Sequence, residues 1–345
     1  MMRANMRPRS SILRLSSLLC ALVASGCSDE PAGFPAAPVY DAGTDATGEA
    51  GGHADATADV RGDADANADA NADANADANA EGDADAKAST LSLMTWNLED
   101  YPLSSNTPDQ AASIVAQLRP DLIAVQEVAD AVAFAALESK LPAGYQIVIN
   151  DDPGAFLRVA LVTQSQRVTV SEVETLFKND AYAFPRPPLK ARVLAQGVGS
   201  GSFDFVVVVV HLKAQLNQAS QDRRKDACIK LDAWLSAELA KGGEQDYVVI
   251  GDFNDELDDP PQWNVFGPLL SKSSTYTFLT GAEVQAGKHT YLPFQSFLDH
   301  VLVTSDTLVE YGAGSTSVLE LEKSVTDYEN SVSDHRPVIS VFQSP

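Results

Sequence analysis

The chain contains 345 residues, and its 48 acidic residues outnumber its 24 basic ones, so the formal net charge is −24. Such an excess of negative charge repels polyanions, so binding of nucleic acid would need a local basic patch or a bound metal. The three cysteines are too few for a disulfide-rich scaffold, so the fold must depend on a hydrophobic core.

The first 27 residues have the pattern of a lipoprotein signal peptide. Four arginines precede an apolar stretch at 15–24, which is too short to cross a bilayer as a finished helix. Small residues then stand directly before Cys27, as in a bacterial lipobox. We therefore expect export and a lipid on Cys27 that anchors the protein to a bacterial membrane; an ordinary cleaved signal, followed by secretion, is the alternative. Cys20 would leave with the signal, so Cys228 would have no disulfide partner.

Residues 28–88 contain almost no core-forming side chains and carry Ala-Asp-Ala-Asn repeats at 64–80. Few large apolar groups and many like charges cannot offset the entropy of an ordered chain. We predict a disordered, extended tether. A calcium-binding aspartate repeat is the weaker alternative, because the glycines of calcium-binding turns are missing.

Residues 89–345 hold 33 acidic and 18 basic residues, a net charge of −15, and are long enough for one large core. In the first half of this domain, Thr107 as the N-cap residue and Pro108 in the first turn predict a helix that ends before Pro120. A second helix is predicted at about 130–141. Strands are predicted at 91–95, 122–125, 145–149, 159–163 and 168–175.

The second half repeats this scheme. Strands are predicted at 203–210, 248–250, 297–303 and 337–342, and a long helix at about 219–240. The buried side of that helix is expected to carry Ile229, Leu231, Trp234, Leu235 and Leu239. The basic segment at 223–225 favours a solvated helix face over a substrate contact. Several strands are fully apolar and some are separated by helices, which indicates two packed sheets with helices outside.

Polar side chains recur directly after these apolar strands. They are Asn97, Glu99, Glu127, His211, Asp252, Asn254, Asp299, Asp334 and His335. Taken singly, each has an ordinary explanation, such as a turn that caps a strand or a buried histidine with satisfied hydrogen bonds. Because strand ends of one sandwich meet at one rim, their repetition predicts a single polar site.

Six short motifs resemble the endonuclease/exonuclease/phosphatase superfamily and occur in its order. They are Thr-Trp-Asn-Leu-Glu (95–99), Val-Gln-Glu-Val (125–128), Val-His-Leu-Lys (210–213), Gly-Asp-Phe-Asn (251–254), Leu-Asp-His-Val (298–301) and Ser-Asp-His-Arg-Pro-Val (333–338). The resemblance covers residues 91–343 and is specific as an ordered set. It implies a four-layered α-β-β-α sandwich with two packed mixed β-sheets that hydrolyses phosphoesters with a divalent metal.

The resemblance also implies a metal site. Glu127 matches the main metal carboxylate, Asn97 and Asp334 match further contacts, and Glu99 matches an acidic residue near the metal. Mg²⁺ is the expected ion, with Mn²⁺ or Ca²⁺ as alternatives, because such ions prefer hard oxygen ligands and keep several waters. Arg186, in Phe-Pro-Arg-Pro-Pro, loosely matches an arginine that contacts substrate in deoxyribonuclease-like members.

The catalytic groups follow from the same resemblance. His335 matches the catalytic histidine and Asp299 the carboxylate that orients it, whereas Asp252 matches the residue that positions or deprotonates water. Asn254 matches a phosphate-binding amide, and His211 a second histidine that donates to a non-bridging oxygen. An imidazole paired with a carboxylate has a raised pKa, so a cationic His335 would hold phosphate and Asp252 is the better base.

The motifs leave three functions open for a protein expected to act as a monomer. The first is a secreted or surface-anchored nuclease, although the negative charge would steer nucleic acid poorly. The second is a phosphodiesterase or phosphatase for a small or lipid phosphoester, such as an inositol phosphate; sphingomyelin ranks lower. The third is a catalytically inactive binding module, which the complete set of site residues disfavours.

Overall fold

The computed structural model describes residues 90–150, 156–199 and 201–343. The predicted signal peptide (1–27) and tether (28–88) therefore lie outside the described residues. In the described part of the chain, every helix is too short or too polar to cross a membrane.

Twelve strands and seven α-helices make up the described chain. The strands are β1 (Leu91–Tyr101), β2 (Leu122–Val128), β3 (Tyr145–Ile149), β4 (Arg158–Gln164), β5 (Val168–Thr175), β6 (Leu189–Val198), β7 (Gly201–His211), β8 (Tyr247–Asp252), β9 (Tyr276–Phe278), β10 (Asp299–Thr304), β11 (Ser315–Val318) and β12 (Val338–Phe342). The helices are α1 (Thr107–Leu118), α2 (Ala131–Leu137), α3 (Gln218–Leu239), α4 (Gly267–Leu270), α5 (Gly281–Gln285), α6 (Ser305–Tyr311) and α7 (Tyr328–Ser331).

The strands form two six-stranded sheets. The first has the order β11-β12-β1-β2-β4-β3, and the second has the order β5-β6-β7-β8-β10-β9. Both sheets are mixed, because β1 pairs with β2 and β7 pairs with β8 in parallel, while the other pairs are antiparallel. Each parallel pair lies at the centre of its sheet, so its carboxyl ends lead to the same edge.

Three apolar layers hold the elements together. Side chains from both sheets meet in a central layer that includes Leu93, Leu161, Phe205 and Ile250. A second layer packs α1 and α2 on the first sheet, and a third packs α3 and α4 on the second sheet. This arrangement confirms the predicted four-layered sandwich. It also explains the fully apolar strands, since the central strands are covered on both faces.

A close approach between β7 and β8 requires glycine at position 251. Gly251 has φ +146°, and a Cβ there would lie 2.0 Å from the carbonyl oxygen of Val210 on the paired strand. Since only glycine fits such a contact, Gly251 sets the position of the two strand ends. Those ends carry His211 and Asp252, which are paired across the parallel ladder.

The structure corrects several predictions of local structure. Strand β6 was not predicted, although its residues alternate between buried and half-buried positions. Helix α2 is shorter than the predicted 130–141, and α1 begins after Asn106, so Thr107 is not its N-cap residue. On α3, Ile229 is 47% exposed, whereas Arg224 of the predicted solvated segment is 3% exposed. Leu231 and Leu235 are buried and Trp234 and Leu239 pack against the core as predicted, so the correction concerns Ile229 and Arg224 alone.

Candidate active site

Two irregular strand ends place the first pair of carboxylates. The ladder between β1 and β2 shifts register between Asn97 and Tyr101, and that between β2 and β4 shifts between Val125 and Val128. Glu99 and Glu127 lie in these shifts with φ values of 40° and 63°. Such irregularities re-aim a side chain at a functional edge, and left-handed backbone in non-glycine residues is uncommon. The two carboxylates are thus directed into the space beyond the strands.

Asn97 connects the two sheets behind these carboxylates. Its amide nitrogen donates to Oε1 of Glu127 at 3.1 Å and to Oδ2 of Asp252 at 3.0 Å. Its amide oxygen accepts from the backbone N–H of Glu99 at 2.9 Å. The side chain is fully buried, and its amide nitrogen fixes both carboxylates. Its oxygen accepts one hydrogen bond and has a second lone pair, so the predicted metal contact of Asn97 stays a prediction.

The chain turns sharply after β8. Oδ1 of Asp252 accepts from the backbone N–H of Asn254 at 2.8 Å, and Asn254 has φ 55°. This is an Asx turn, so the ordinary explanation of the motif holds alongside the functional one. The turn leaves Oδ2 of Asp252 directed at the site, while the Asn254 amide donates to the carbonyl of Leu212 at 3.3 Å.

His335 forms a buried ion pair with Asp299. Its Nδ1 lies 2.8 Å from Oδ2 of Asp299, at the start of β10. Burial alone would lower the pKa of His335, but the charge and hydrogen bond of Asp299, helped by Asp252, raise that pKa to about 10. The imidazole is therefore cationic at neutral pH and presents its Nε2–H to the cavity.

Two hydroxyl groups hold the backbone of this segment. The phenol of Tyr328 donates to the carbonyl of His335 at 2.7 Å and accepts from Nε1 of Trp96 at 2.9 Å. Ser333 donates to the carbonyl of Asn97 at 2.7 Å and accepts from the His335 N–H at 2.9 Å. These bonds tie the last motif to the first strand, so His335 is positioned by contacts across more than 200 residues of chain.

His211 lies between the acidic groups and Arg186. Its Nε2 is 3.5 Å from Oε1 of Glu127 and 3.6 Å from Oδ2 of Asp252, and Nδ1 accepts from Nε of Arg186 at 3.2 Å. Burial, and then the charge of Arg186, holds the pKa of His211 well below its usual range. Nη2 of Arg186 also contacts Nε2, so the guanidinium faces both ring nitrogens of this histidine, which is neutral at pH 7.

The carboxylates crowd one cavity of about 380 Å³. Its lining includes Glu99, Glu127, Asp252, Asn254, Asp334 and His335. Burial and the neighbouring charge of Asp334 raise the pKa of Glu99 to about 7, and burial and the charge of Asp299 raise that of Asp252 to about 7. Mutual repulsion of this kind marks a site that a cation would stabilise.

A sequence profile described as the Endonuclease/Exonuclease/phosphatase family matches residues 94–335, well over half of the chain. The chain belongs to this family. No curated protein matches the chain at a significant level. Family members are typically phosphoesterases that use divalent metal ions.

Solved structures of the same fold carry different activities. D. rerio TDP2 complexed with a single-strand DNA product is 18% identical (TM-score 0.51; 74% of this chain and 100% of that chain covered). The human nocturnin catalytic domain with bound sulfate is 21% identical (TM-score 0.53; 73% and 94%). A mannosyl-6-phosphatase from Bacteroides thetaiotaomicron is 16% identical (TM-score 0.51; 72% and 98%). These similarities show the fold alone.

The donor set fits the divalent ion that this family uses. One ligand atom from each of Glu127, His211 and Asp252 falls within 4.8 Å of the others, and Glu99 and Asp334 border the same cavity. Carboxylate oxygens are suited to Mg²⁺, Mn²⁺ or Ca²⁺. The raised pKa values of Glu99 and Asp334, caused first by burial and then by neighbouring charges, are what such a set shows without its cation.

All the predicted site residues come together in the structure, although their roles remain predictions. Six line the cavity directly, whereas Asn97, His211 and Asp299 lie behind them and orient them. Arg186 does not line the cavity, and it joins the site through its contact with His211 and through the charges of Asp252 and Glu127.

Sequence reasoning missed several supporting residues. Tyr328 lies on a helix of four residues, too short to leave a periodic signal. Arg224 donates to Oδ2 of Asp255 and to the carbonyls of Lys213 and Gln215. Its burial has a signal in the sequence, because Arg224 lies on the same face of α3 as the apolar Leu231. An exposed apolar rim, formed by Leu216, Trp263 and Phe294, also escaped notice.

Proposed function

We propose that the protein is a divalent-metal-dependent hydrolase of phosphodiester bonds, and that nucleic acid is its first candidate substrate. The observation that carries this proposal is the convergence of a carboxylate-lined cavity with a cationic His335 and a neutral His211. The carboxylates would hold a metal ion and a water molecule, and the two histidines would donate hydrogen bonds to phosphate oxygens. Hydrolysis of a phosphoester needs both kinds of group.

In this mechanism Asp252 orients the attacking water and accepts its proton. As the water oxygen bonds to phosphorus, the ester P–O bond breaks and the leaving alcohol oxygen takes a proton from solvent. A carboxylate with a pKa of about 7 is well matched to this task at neutral pH. The Nε2–H of His335 donates to a phosphate oxygen, and Asp299 holds the His335 imidazole in place. His211 would be a second donor to a non-bridging oxygen, from its position between Glu127 and Asp252 behind the cavity lining. Asn254 borders the cavity and follows Asp252 by two residues, and it would add a further amide contact to the phosphate.

Glu127, Glu99 and Asp334 would hold the divalent ion, with Asn97 fixing the orientation of Glu127. Mg²⁺ is the proposed ion, and Mn²⁺ or Ca²⁺ are alternatives. When bound, the ion would neutralise negative charge that develops on the phosphoryl oxygens.

A second candidate substrate is a small or lipid phosphoester. The observation that favours it is the exposed apolar rim, in which Leu216 is 90% and Phe294 71% exposed. A neighbouring cavity of about 400 Å³ shares Leu216 and Asn254 with the first, and its lining includes Asp255, Glu256 and Asp259. An acidic surface of this kind repels a long polyanion but accepts a compact or neutral leaving group.

The proposal is tested by measuring hydrolysis of bis(p-nitrophenyl) phosphate, plasmid DNA, RNA, sphingomyelin and inositol phosphates with Mg²⁺, Mn²⁺ or Ca²⁺. A chelator should abolish turnover. His335→Ala and Asp252→Asn should each lower kcat by about 10²- to 10⁴-fold with the fold retained. His289→Ala is the matched control, because this histidine lies outside the lining of the cavity. Activity that persists in chelator, or near-normal rates in either site variant, would refute the mechanism.

We also propose that the protein is exported and anchored through lipid on Cys27, and that it acts as a monomer. The small residues directly before Cys27 support the anchor. Cys27→Ser should move the protein from the membrane fraction to the soluble exported fraction and prevent labelling with a radioactive fatty acid. Membrane retention of this variant would contradict the anchor, and a dimer in light scattering would contradict the monomer.

A further inference from the structure

Unpaired cations collect at one side of the active site. The described part of the chain is strongly acidic, and many of its lysines and arginines form ion pairs, as Arg192, Lys230 and Arg336 do. Within the described residues Arg186, Lys213 and Arg223, which we name the cationic ridge, form no ion pair with a carboxylate. Because the chain has far more carboxylates than cations, a shortage of carboxylates does not explain why these three cations form no ion pair.

The three side chains come from different segments and lie close enough beside β7 for their charges to act on one another. Arg186 lies in the segment before β6 and contacts His211, and Lys213 follows His211 by two residues. Arg223, on α3, donates to the carbonyls of Tyr182 at 2.6 Å and Ala181 at 2.8 Å, so it packs against the segment that carries Arg186. The ridge therefore begins at a catalytic histidine and extends outwards from it.

Each member of the ridge keeps hydrogen-bond donors for a ligand. The ammonium group of Lys213 donates only to the carbonyl of Ala214, at 2.8 Å, so two of its three N–H groups have no partner among the described residues. Arg223 uses Nε and Nη2 on the two carbonyls, and its Nη1 has no hydrogen bond within the same described ranges. All three side chains are half-buried, which leaves them reachable from solvent.

The positive charges act on one another. Burial, and then the charges of Arg186, Arg223 and Arg224, lowers the pKa of the Lys213 ammonium. Like charges held close together destabilise the folded protein. The charges of Asp252 and Glu127 offset part of this repulsion at Arg186, and a bound anion would offset more of it. Guanidinium and ammonium groups at such positions are typical phosphate contacts.

We propose that the cationic ridge binds a second phosphate group of the substrate, next to the phosphoester that is cleaved; this rests on the proposed phosphodiester hydrolysis. The ridge would select substrates with at least two phosphates. The neighbouring phosphate of a polynucleotide and the second phosphate of a small polyphosphorylated alcohol share this chemistry. The exposed ring of Tyr182, 5.5 Å below the guanidinium of Arg223, adds a surface on which a base could stack, which a small alcohol would not use.

The test compares a thymidine dinucleotide that has only the internal phosphate with the same dinucleotide phosphorylated at its 5′ or 3′ end. For each, kcat/KM is measured with Mg²⁺, and binding of fluorescent forms is measured by anisotropy in chelator. The variants are Arg223→Gln and Lys213→Gln. Lys225→Gln is the matched control, because Lys225 is an exposed cation on the same helix and outside the ridge.

The wild-type protein should prefer one of the phosphorylated dinucleotides. Arg223→Gln and Lys213→Gln should each reduce this preference by about tenfold, in hydrolysis and in binding, whereas Lys225→Gln should leave it unchanged. Arg223→Lys should restore part of it by retaining the charge. Inositol bisphosphate that competes more strongly than the dinucleotides would support the ridge and assign it to a small substrate.

Two results would overturn the ridge. One is a wild-type protein that binds all three dinucleotides equally, and the other is a Lys225→Gln variant that loses as much preference as Arg223→Gln. Hydrolysis of bis(p-nitrophenyl) phosphate, which has a single phosphate, decides the proposed function separately. Because the anisotropy measurement needs no turnover, the ridge is tested even if hydrolysis fails.

Discussion

Arg224→Met should destabilise the fold and loosen one wall of the active site. The guanidinium donates to Oδ2 of Asp255 at 2.7 Å and to the carbonyls of Lys213 and Gln215, both at 2.8 Å, and the ion pair is about 95% buried. Removing one partner of a buried pair leaves an uncompensated charge and costs about 3–5 kcal/mol. We therefore expect the free energy of unfolding in urea to fall by about that amount.

A surface ion pair supplies the matched control. Lys140 and Asp109 are 2.6 Å apart, with side chains that are 45% and 71% exposed. Lys140→Met should cost at most about 1 kcal/mol, since solvent screens exposed pairs. The double variant Arg224→Met/Asp255→Asn should be less destabilised than the sum of the single variants, because the stranded charge is then removed.

The activity of the Arg224 variant should change through substrate binding. The two carbonyls that Arg224 holds belong to the segment between β7 and α3, which leads to Leu216 at the mouth of both cavities. We expect a raised KM with a smaller change in kcat, because no group that contacts the reacting atoms is altered. Equal destabilisation by Arg224→Met and Lys140→Met, or a loss confined to kcat, would refute this reasoning.

Three further predictions concern the scaffold of the site. Gly251→Ala should cost about 3 kcal/mol or more in urea unfolding, because the new Cβ meets a backbone carbonyl at 2.0 Å, whereas Gly243→Ala, with open space around it, should cost far less. Tyr328→Phe leaves Nε1 of Trp96 and the carbonyl of His335 without their hydrogen bonds, so it should lower the free energy of unfolding by about 2–4 kcal/mol. It should also lower kcat, because His335 would be displaced. An unchanged melting temperature would contradict this. Burial lowers the pKa of His300 to about 4, below the unfolded value of 6.5, so only the neutral imidazole is compatible with the folded protein. The contribution of His300 to the free energy of unfolding should be full above pH 6.5 and fall by about 3 kcal/mol by pH 4. An NMR titration of His300 with a midpoint near 6.5 would exclude this.

The sequence predicts the fold class well because its signals are local. Each central strand is an apolar run that ends in a polar motif, and a run such as 203–210 has few alternatives to a strand covered on both faces. The same pattern, an apolar strand followed by polar residues, predicts that nine polar side chains lie at one edge of the sheets. Glycine at position 251 is part of that signal, since the close approach of β7 and β8 needs it.

What the sequence does not predict depends on contacts between distant segments. The hydrogen bond from Trp96 to Tyr328 joins residues 232 positions apart, and the local sequence around neither residue predicts it. The burial of Arg224 had a periodic signal, but the general rule that charged residues are exposed masked it. The carboxylates at Glu99 and Glu127 are aimed by irregular strand ends, and such register shifts follow from packing rather than from local propensity.

The net charge of this protein governs the approach of a charged substrate, whereas the charges nearest to the site govern its binding. A domain with a net charge of −15 repels a polyanion at long range. At 0.15 M salt, however, the screening length is about 8 Å, so a substrate at the site is governed by the groups nearest to it. On one side these are carboxylates that a divalent ion would neutralise, and on the other they are Arg186, Lys213 and Arg223. The acidity should therefore slow the approach of a nucleic acid without preventing its binding. Added salt, up to the physiological range, should raise the association rate of an oligonucleotide, although it weakens the contacts at the ridge.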